Sequence, residues 1–440
     1  MNSRILAFAF VLLLVLVSAC SPAADTVTTT TAPGAPSSTE TTTTTAPTTT
    51  APPTTTLPAG TESLPEEMRR EIAELVAITE ELRGLTFLQP PTITVVTDEE
   101  LEARVRESIE SDIEDLPADE ALLRLLGLIG PDLDLLQLYL DLYGEQVAGF
   151  YDGEVGELVV PAGDSLGAMQ KATLVHELTH ALTDQRFGFN DVYERLIDDQ
   201  RFDEAVAFLA VIEGDATLTE ILYIQRLDVS EQQELLVEMF SAESDVFDAA
   251  PAFLQNSLIF PYQYGLAFVQ RAFEIGGFDE VNRLYVEPPR SSEQIYDPRA
   301  YQRDEPVPVT VAEPALTGYE LIYDSVWGQL GFALMFDQVL GDDGPASGWG
   351  GDAYLQWFDG SNALLFVEYV GDTPADADEL GGALVRYVEA AMAVGVSEPV
   401  GGGLAFEGDD YAFVRIDGDR VWFVAASDPA AGRAVVSALP

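Results

Sequence analysis

The stretch Thr173-Leu-Val-His-Glu-Leu-Thr-His-Ala-Leu182 constrains this chain more than any other. It sets histidines at 176 and 180, with Glu177 beside the first. Residues four apart on a helix stand one above the other, so both imidazoles can close on one metal ion. At about 100° per residue, His176, His180, Glu177 and Asp184 share roughly a quarter turn. Leu174, Val175, Leu178, Ala181 and Leu182 fill the opposite arc. A helix with one apolar face and one face of ligand atoms suits a buried metal. The chain has two histidines in 440 residues, and both are here. Coincidence would require an acidic chain to place its only imidazoles at ligand spacing with a carboxylate between them.

His-Glu-x-x-His is a zinc-peptidase signature. Catalytic zinc takes three protein ligands and leaves the fourth position to water or substrate. No histidine remains for the third place, and the only cysteine is Cys20, so the third ligand must be a carboxylate. The spacing predicts a second helix over 203–225. Its run Ala205–Ile212 is nearly all apolar, and Glu213 is the first charge to interrupt it. A lone acid in a buried helix is costly unless paired or metal-bound, so Glu213 leads; the alternative pairs it with an arginine such as Arg186. Thr217 and Glu220 share its helical face and are candidates to steady a ligand. Asp184, one turn past His180, is a candidate to orient an imidazole. One Zn2+ per chain is the expected cofactor.

The net charge is −54, from 75 acidic and 21 basic residues. A phosphate backbone would be repelled, which argues against nucleic acid as a partner. One cysteine excludes an intrachain disulfide. Its setting is informative: Arg4, an apolar run Ile5 to Val17, then Val17-Ser18-Ala19-Cys20. This resembles a bacterial lipoprotein signal, with cleavage before Cys20 and lipid attached to it. The apolar run is short for a membrane-spanning helix. Residues 21–60 are almost entirely Thr, Pro, Ala and Ser and cannot build a core; they read as a disordered tether.

The remaining chain reads as α+β, mainly helical. Helices are expected over 62–88, 98–109, 120–129 and 133–143, with a strand over 92–97. Val147–Asp152 and Glu157–Pro161 flank Gly153 and Gly156, a hairpin signal. The metal helix is expected from Ser165 to Gln185 with Gly188 as its stop. Further helices are expected over 231–247, 264–275 and 324–340. Strands at 353–358 and 363–370, a helix over 375–393 and a hairpin of Tyr411–Ile416 with Arg420–Ala426 then form a small α+β unit. Asp352 and Trp349 in that unit read as structural.

His176-Glu-Leu-Thr-His180 with downstream Glu213-Gly-Asp-Ala216 resembles the gluzincin type of metallopeptidase. Within it the chain is similar to a set of secreted bacterial zincin-like proteins, which also carry patterns like Gly149-Phe-Tyr-Asp152, Ala181-Leu-Thr-Asp-Gln185 and Gly348-Trp-Gly-Gly-Asp352. The likeness covers roughly residues 140–380. It implies zinc held by His176, His180 and Glu213, and a sheet-edge strand before the metal helix that pairs with extended peptide. Pro261-Tyr-Gln-Tyr-Gly265 resembles the aminopeptidase Pro-Tyr-x-x-Gly, which implies Tyr262 as oxyanion donor, with Tyr264 as fallback. The aminopeptidase Gly-Ala-Met-Glu-Asn sequence is missing.

These readings divide the chain into a lipoprotein signal (1–20), a tether (21–60), a zincin-like catalytic domain (61–310) and a helical and α+β C-terminal subdomain (311–440). The expected activity is zinc-dependent peptide hydrolysis at the outer face of the cytoplasmic membrane or in secreted form. Glu177 is the expected general base, a peptide or protein the expected substrate, and the Cys20 lipid the membrane contact. The rival expectation is an inactive zincin-like binding or scaffold lipoprotein. A broad peptide digestion separates the two; cleavage preference and oligomeric state are not written in these patterns.

Overall fold

The computed structural model describes residues 58–439 apart from 63, 112–114, 147–148, 154, 162–165 and 242–244. The signal with Cys20, nearly all of the tether, Val147 and Ala148 of the expected hairpin, and Ser165 lie outside the described residues. The fold is α+β and mainly helical. No helix among the described residues is long and apolar enough to cross a membrane.

The first unit contains α1 (Glu66–Arg83), β1 (Thr92–Val96), α2 (Asp98–Ser111), α4 (Leu135–Gln146), β2 (Phe150–Asp152) and β3 (Glu157–Pro161), while α3 (Leu116–Leu125) packs its Leu122 and Leu125 into the core of the C-terminal unit. The first unit continues through α5 (Ala168–Phe187), α6 (Phe189–Asp198), α7 (Phe202–Ile224), α8 (Val229–Ser241), α9 (Asp245–Ala249), α10 (Ala252–Gly276), α11 (Phe278–Val286) and α12 (Ser292–Tyr296). Its sheet has the order β1-β3-β2. β3 runs parallel to β1, and β2 closes the edge antiparallel, with Tyr151 opposite Leu158. A long irregular stretch follows α12.

The second unit contains β4 (Glu320–Ser325), α13 (Gly328–Leu340), β5 (Trp349–Phe358), β6 (Ala363–Gly371), α14 (Pro374–Ala391), β7 (Glu398–Val400), β8 (Gly403–Glu407), β9 (Tyr411–Asp417), β10 (Arg420–Ala426) and α15 (Pro429–Ala438). Its seven strands are antiparallel in the order β4-β5-β6-β10-β9-β8-β7. Leu365, Val367 and Tyr369 face α13 and α14, while Leu364 and Phe366 face the side covered by α15. With both faces covered, a strand can be apolar at every position instead of alternate ones, which is how β6 reads.

Local signals set most boundaries. Pro65 precedes α1, Glu66 and Glu67 occupy its first turn, and Gly84 ends it at φ 71°. Gly188 ends α5 at φ 62°, where an L side chain would be strained. Other expectations need correcting. The segment expected to be helical from 324 begins with β4, and α13 starts at Gly328. β5 starts at Trp349, so Gly350 and Gly351 belong to the strand; a methyl on Gly351 would strike the Val307 backbone of the irregular stretch. The helix expected over 231–247 is helical over Val229–Ser241 and again over Asp245–Ala249, with 242–244 outside the described residues. The sheet is wider than the pattern suggested, with β4, β7 and β8 added.

The helix expected to start at Tyr264 starts at Ala252 and carries Pro261 in its interior. An interior proline costs about 3 kcal/mol, so tertiary packing must hold this helix. α10 lies against α7 at a contact of two glycines. A methyl on Gly214 would strike the Gly265 carbonyl, and one on Gly265 would strike the Ala210 backbone. These are the glycines of Glu213-Gly214 and of Pro261-Tyr-Gln-Tyr-Gly265. Their bareness lets two helices approach until backbone meets backbone.

Gly265→Ala is therefore expected to destabilise the chain. Helix propensity favours alanine by ~1 kcal/mol, but overpacking against rigid backbone costs ~1–3 kcal/mol or more. Gly382→Ala in α14, whose methyl meets only the far end of Arg386, should be neutral or stabilising. Denaturant midpoints of the two variants check this; equal stabilisation by both would contradict the tight crossing.

Candidate metal centre

α5 and α7 bring three ligand atoms together. His176 Nε2 lies 3.2 Å and His180 Nε2 3.4 Å from the same oxygen, Glu213 Oε2. All three residues are buried, and their ligand atoms fall within 4.8 Å of one another. The imidazole rings stand edge to face, with centroids 4.7 Å apart. Ligand atoms on a tetrahedral zinc ion, each bonded at ~2.0–2.1 Å, lie about 3.3 Å apart. The donor set and its spacing fit such an ion.

The flanking groups set the direction of each ring. His176 Nδ1 lies 3.3 Å from Glu220 Oε2. A proton shared there leaves the Nε2 lone pair facing Glu213, which is how a carboxylate behind a ligand histidine fixes its tautomer. Glu220 sits on α7 one face-repeat beyond Glu213, as helical spacing requires. Thr217 differs: its hydroxyl is buried without a hydrogen-bond partner and does not reach a ligand. Asp184 differs too. It accepts from the Tyr151 hydroxyl at 2.8 Å and the Asn190 amide at 3.0 Å, so it ties α5 to β2 and α6 and orients neither histidine. Arg186, the alternative partner weighed for Glu213, bonds Thr86 instead.

Glu177 stands beside the three ligand residues and contacts the sheet edge. The Tyr151 amide on β2 donates to its Oε2 at 2.8 Å. Its Oε1 is buried with no hydrogen-bond partner among the described residues. An unsatisfied buried oxygen costs about 1–3 kcal/mol and is a place for a water or a substrate. Glu177 also lines a mainly apolar cleft with Met68, Ile72, Val95, Val160 and Leu174. Burial pushes its carboxyl up to about 7, against the opposing pull of the two imidazoles. Glu213 is equally buried, but both histidines outweigh that burial and hold it down at about 2. Burial opposes a charge on His176, yet Glu213 and Glu220 raise it well above its ordinary value.

Tyr262 reaches this place from α10. Its ring stacks near His176, with centroids 6.2 Å apart and planes at 27°. Tyr264 instead packs between Phe260 and Tyr296, at 5.3 and 4.6 Å, which removes it as a fallback.

Asp215, two residues after Glu213, points the other way. It sits 2.8 Å from Arg83 Nε of α1 in a pair with no side-chain exposure, and accepts from Tyr285 at 2.9 Å. Sequence reasoning missed this bridge. Its only trace is a further acid two residues after Glu213 in a buried stretch of helix, and nothing local identifies Arg83 as the partner. Asp352, read as structural, accepts from Trp349 Nε1 at 2.7 Å and from the Trp327 and Gly328 amides at 2.9 Å. It caps the start of α13.

Residues 320–436 match a family model, that of a domain of unknown function (DUF8575). The match begins at the first residue of β4, covers the seven-stranded sheet and leaves the His176–His180–Glu213 cluster outside. No curated protein and no solved structure matches the chain.

Two neighbouring acids should respond differently to loss of charge. Glu213→Gln is expected to lower metal retention in a chain that still folds. Asp215→Asn strands a buried guanidinium, at a cost of about 3–5 kcal/mol, while the folded fraction keeps its metal. Metal content and denaturant midpoints of both variants check this; equal metal loss in the two would contradict it. Uptake also depends on pH with a defined sign. A proton on His176 competes with metal, so affinity is full above the raised value of His176 and falls as pH drops through it, beginning above the ordinary 6.5.

Proposed function

We propose that the chain is a zinc-dependent peptidase, held outside the cytoplasmic membrane by lipid on Cys20. The observation that carries the reading is the shared Glu213 oxygen, met by the only two imidazoles in the chain with Glu177 alongside. Zinc held there would supply Lewis acidity, which brings a water's pKa from 15.7 to about 7.

The chain's own groups have separable tasks. Glu177 Oε1, buried and unpartnered, would accept a proton from the attacking water and deliver it to the leaving amine. The Tyr151 amide fixes Glu177 Oε2, leaving Oε1 as the working oxygen. Burial pushes the Glu177 carboxyl above its ordinary value, the direction that makes a carboxylate the stronger base. Glu220 holds His176. Tyr262, stacked by His176, would donate its hydroxyl to the oxyanion. The cleft beside β2 offers an apolar approach to Glu177, and its lining favours an apolar side chain next to the scissile bond.

Glu177→Gln should keep its metal and lose peptide cleavage, by ~10²–10⁴-fold for one missing general base. Tyr262→Phe should fall by about 10²–10³-fold for one missing oxyanion donor. Metal content with kcat/KM on a mixed peptide library measures both. If the wild-type chain cleaves nothing while Glu177→Gln binds the same peptides equally well, the protein is a tethered binder. Cleavage by Glu177→Gln at the wild-type rate would assign the base elsewhere.

A further inference from the structure

A second group of acids lies where the two units meet, far in sequence from the histidines. Glu293 comes from α12, Asp304 from the irregular stretch after it, and Asp372 from the turn between β6 and α14. Carboxylate oxygens of all three lie within 4.8 Å of one another. Glu293 is only 8% exposed. Among the described residues no hydrogen bond or ion pair reaches its carboxylate, although backbone groups around it are paired. Gln294 holds the Asp304 carbonyl at 2.6 Å, the Asp372 amide donates to Gly348 at 2.9 Å, and the Val307 amide to Gly350 at 2.7 Å. The strap is thus pinned to β5 on one side of the acids while the acids have no counter-charge.

Like charges so close cannot all stay ionised without a cation. Burial, then Asp372, Asp304, Asp203 and Asp297, push Glu293 up to about 8; the largest charges acting on it are negative. Arg290 pairs with Glu305 and Arg299 with Asp297, and Arg303, next to Asp304, is exposed to solvent. Glu293 thus meets two other carboxylates and, among the described residues, no hydrogen bond or ion pair reaches its own.

We propose that Glu293, Asp304 and Asp372 bind one calcium ion that fastens the irregular stretch to the end of the C-terminal sheet. The ligands are all hard oxygens, which excludes a soft-metal preference. They come from a short helix, a loop and a turn, which suits the variable six- to eight-fold coordination of calcium better than the rigid octahedron of magnesium. Water and backbone carbonyls complete the shell. Three carboxylates on loop segments place the affinity with weaker sites, Kd about 10⁻⁴–10⁻³ M. The inference is independent of the chemistry at His176.

The test uses the full chain in calcium-free buffer, titrated with calcium chloride, magnesium chloride or sodium chloride at matched ionic strength. Calcium is expected to bind at one ion per chain by calorimetry, and to raise Tm by about 2 °C at ten times its Kd. Glu293→Gln should lose both effects. Its calcium-free Tm should equal or exceed that of the wild type, because one of three crowded charges is gone, so failure to fold does not cloud the comparison. Asp372→Asn gives a second, more exposed position and should weaken binding in the same direction. An equal Tm rise in Glu293→Gln would show diffuse screening of an acidic chain and overturn the site. No calcium response in the wild type would overturn it as well, and an equal response to magnesium would overturn the choice of ion.

Discussion

A carboxylate taken out of water must find positive charge or hydrogen-bond donors, and Glu213 finds both in two imidazoles that meet one of its oxygens. Much of the first unit can be understood as the means of holding that arrangement. α5 presents the imidazoles one turn apart. α7 brings the acid across them and carries Glu220 behind His176. Bare glycines at 214 and 265 let α10 lie close enough for Tyr262 to stack by the same histidine. Filling either glycine would push apart the helices that converge on the ligands.

The electrostatics divide closely placed acids into distinct roles. Glu213 and Asp215 are two residues apart on α7, yet one is balanced by imidazoles and the other by a guanidinium with no side-chain exposure. Glu177, next to a ligand in sequence, has weaker compensation; burial prevails and raises it to about 7. Glu293 forms no ion pair among the described residues and rises further. What differs is the partner: two imidazoles for Glu213, a guanidinium for Asp215, a backbone amide for Glu177 and other carboxylates for Glu293.

The legible parts of the sequence were those carried by local chemistry. The two histidines with Glu177 declare a helix face, and Gly188 marks its end. An acid interrupting Ala205–Ile212 points to Glu213, because charge inside an apolar helix needs a reason. What stayed hidden depends on contacts between distant segments. Pro261 reads as a boundary, but packing of α10 on α7 overrides its local cost. Asp184 sits on the correct arc for a histidine partner, yet the Tyr151 hydroxyl and Asn190 amide claim it. The end of β4, Asp324 and Ser325, reads as the start of a helix because its pairing partner, β5, lies beyond α13. The Glu293 group draws on three segments no local pattern connects.

The account stands most directly on the metal itself. Elemental analysis of the purified full chain, after equilibration with zinc and removal of loosely held ions, tests whether the His176–His180–Glu213 cluster is the metal centre proposed. About one zinc per chain is predicted, falling toward zero when both histidines are replaced by alanine. A folded wild-type chain that retains no zinc, or a double variant that retains as much as the wild type, would contradict it.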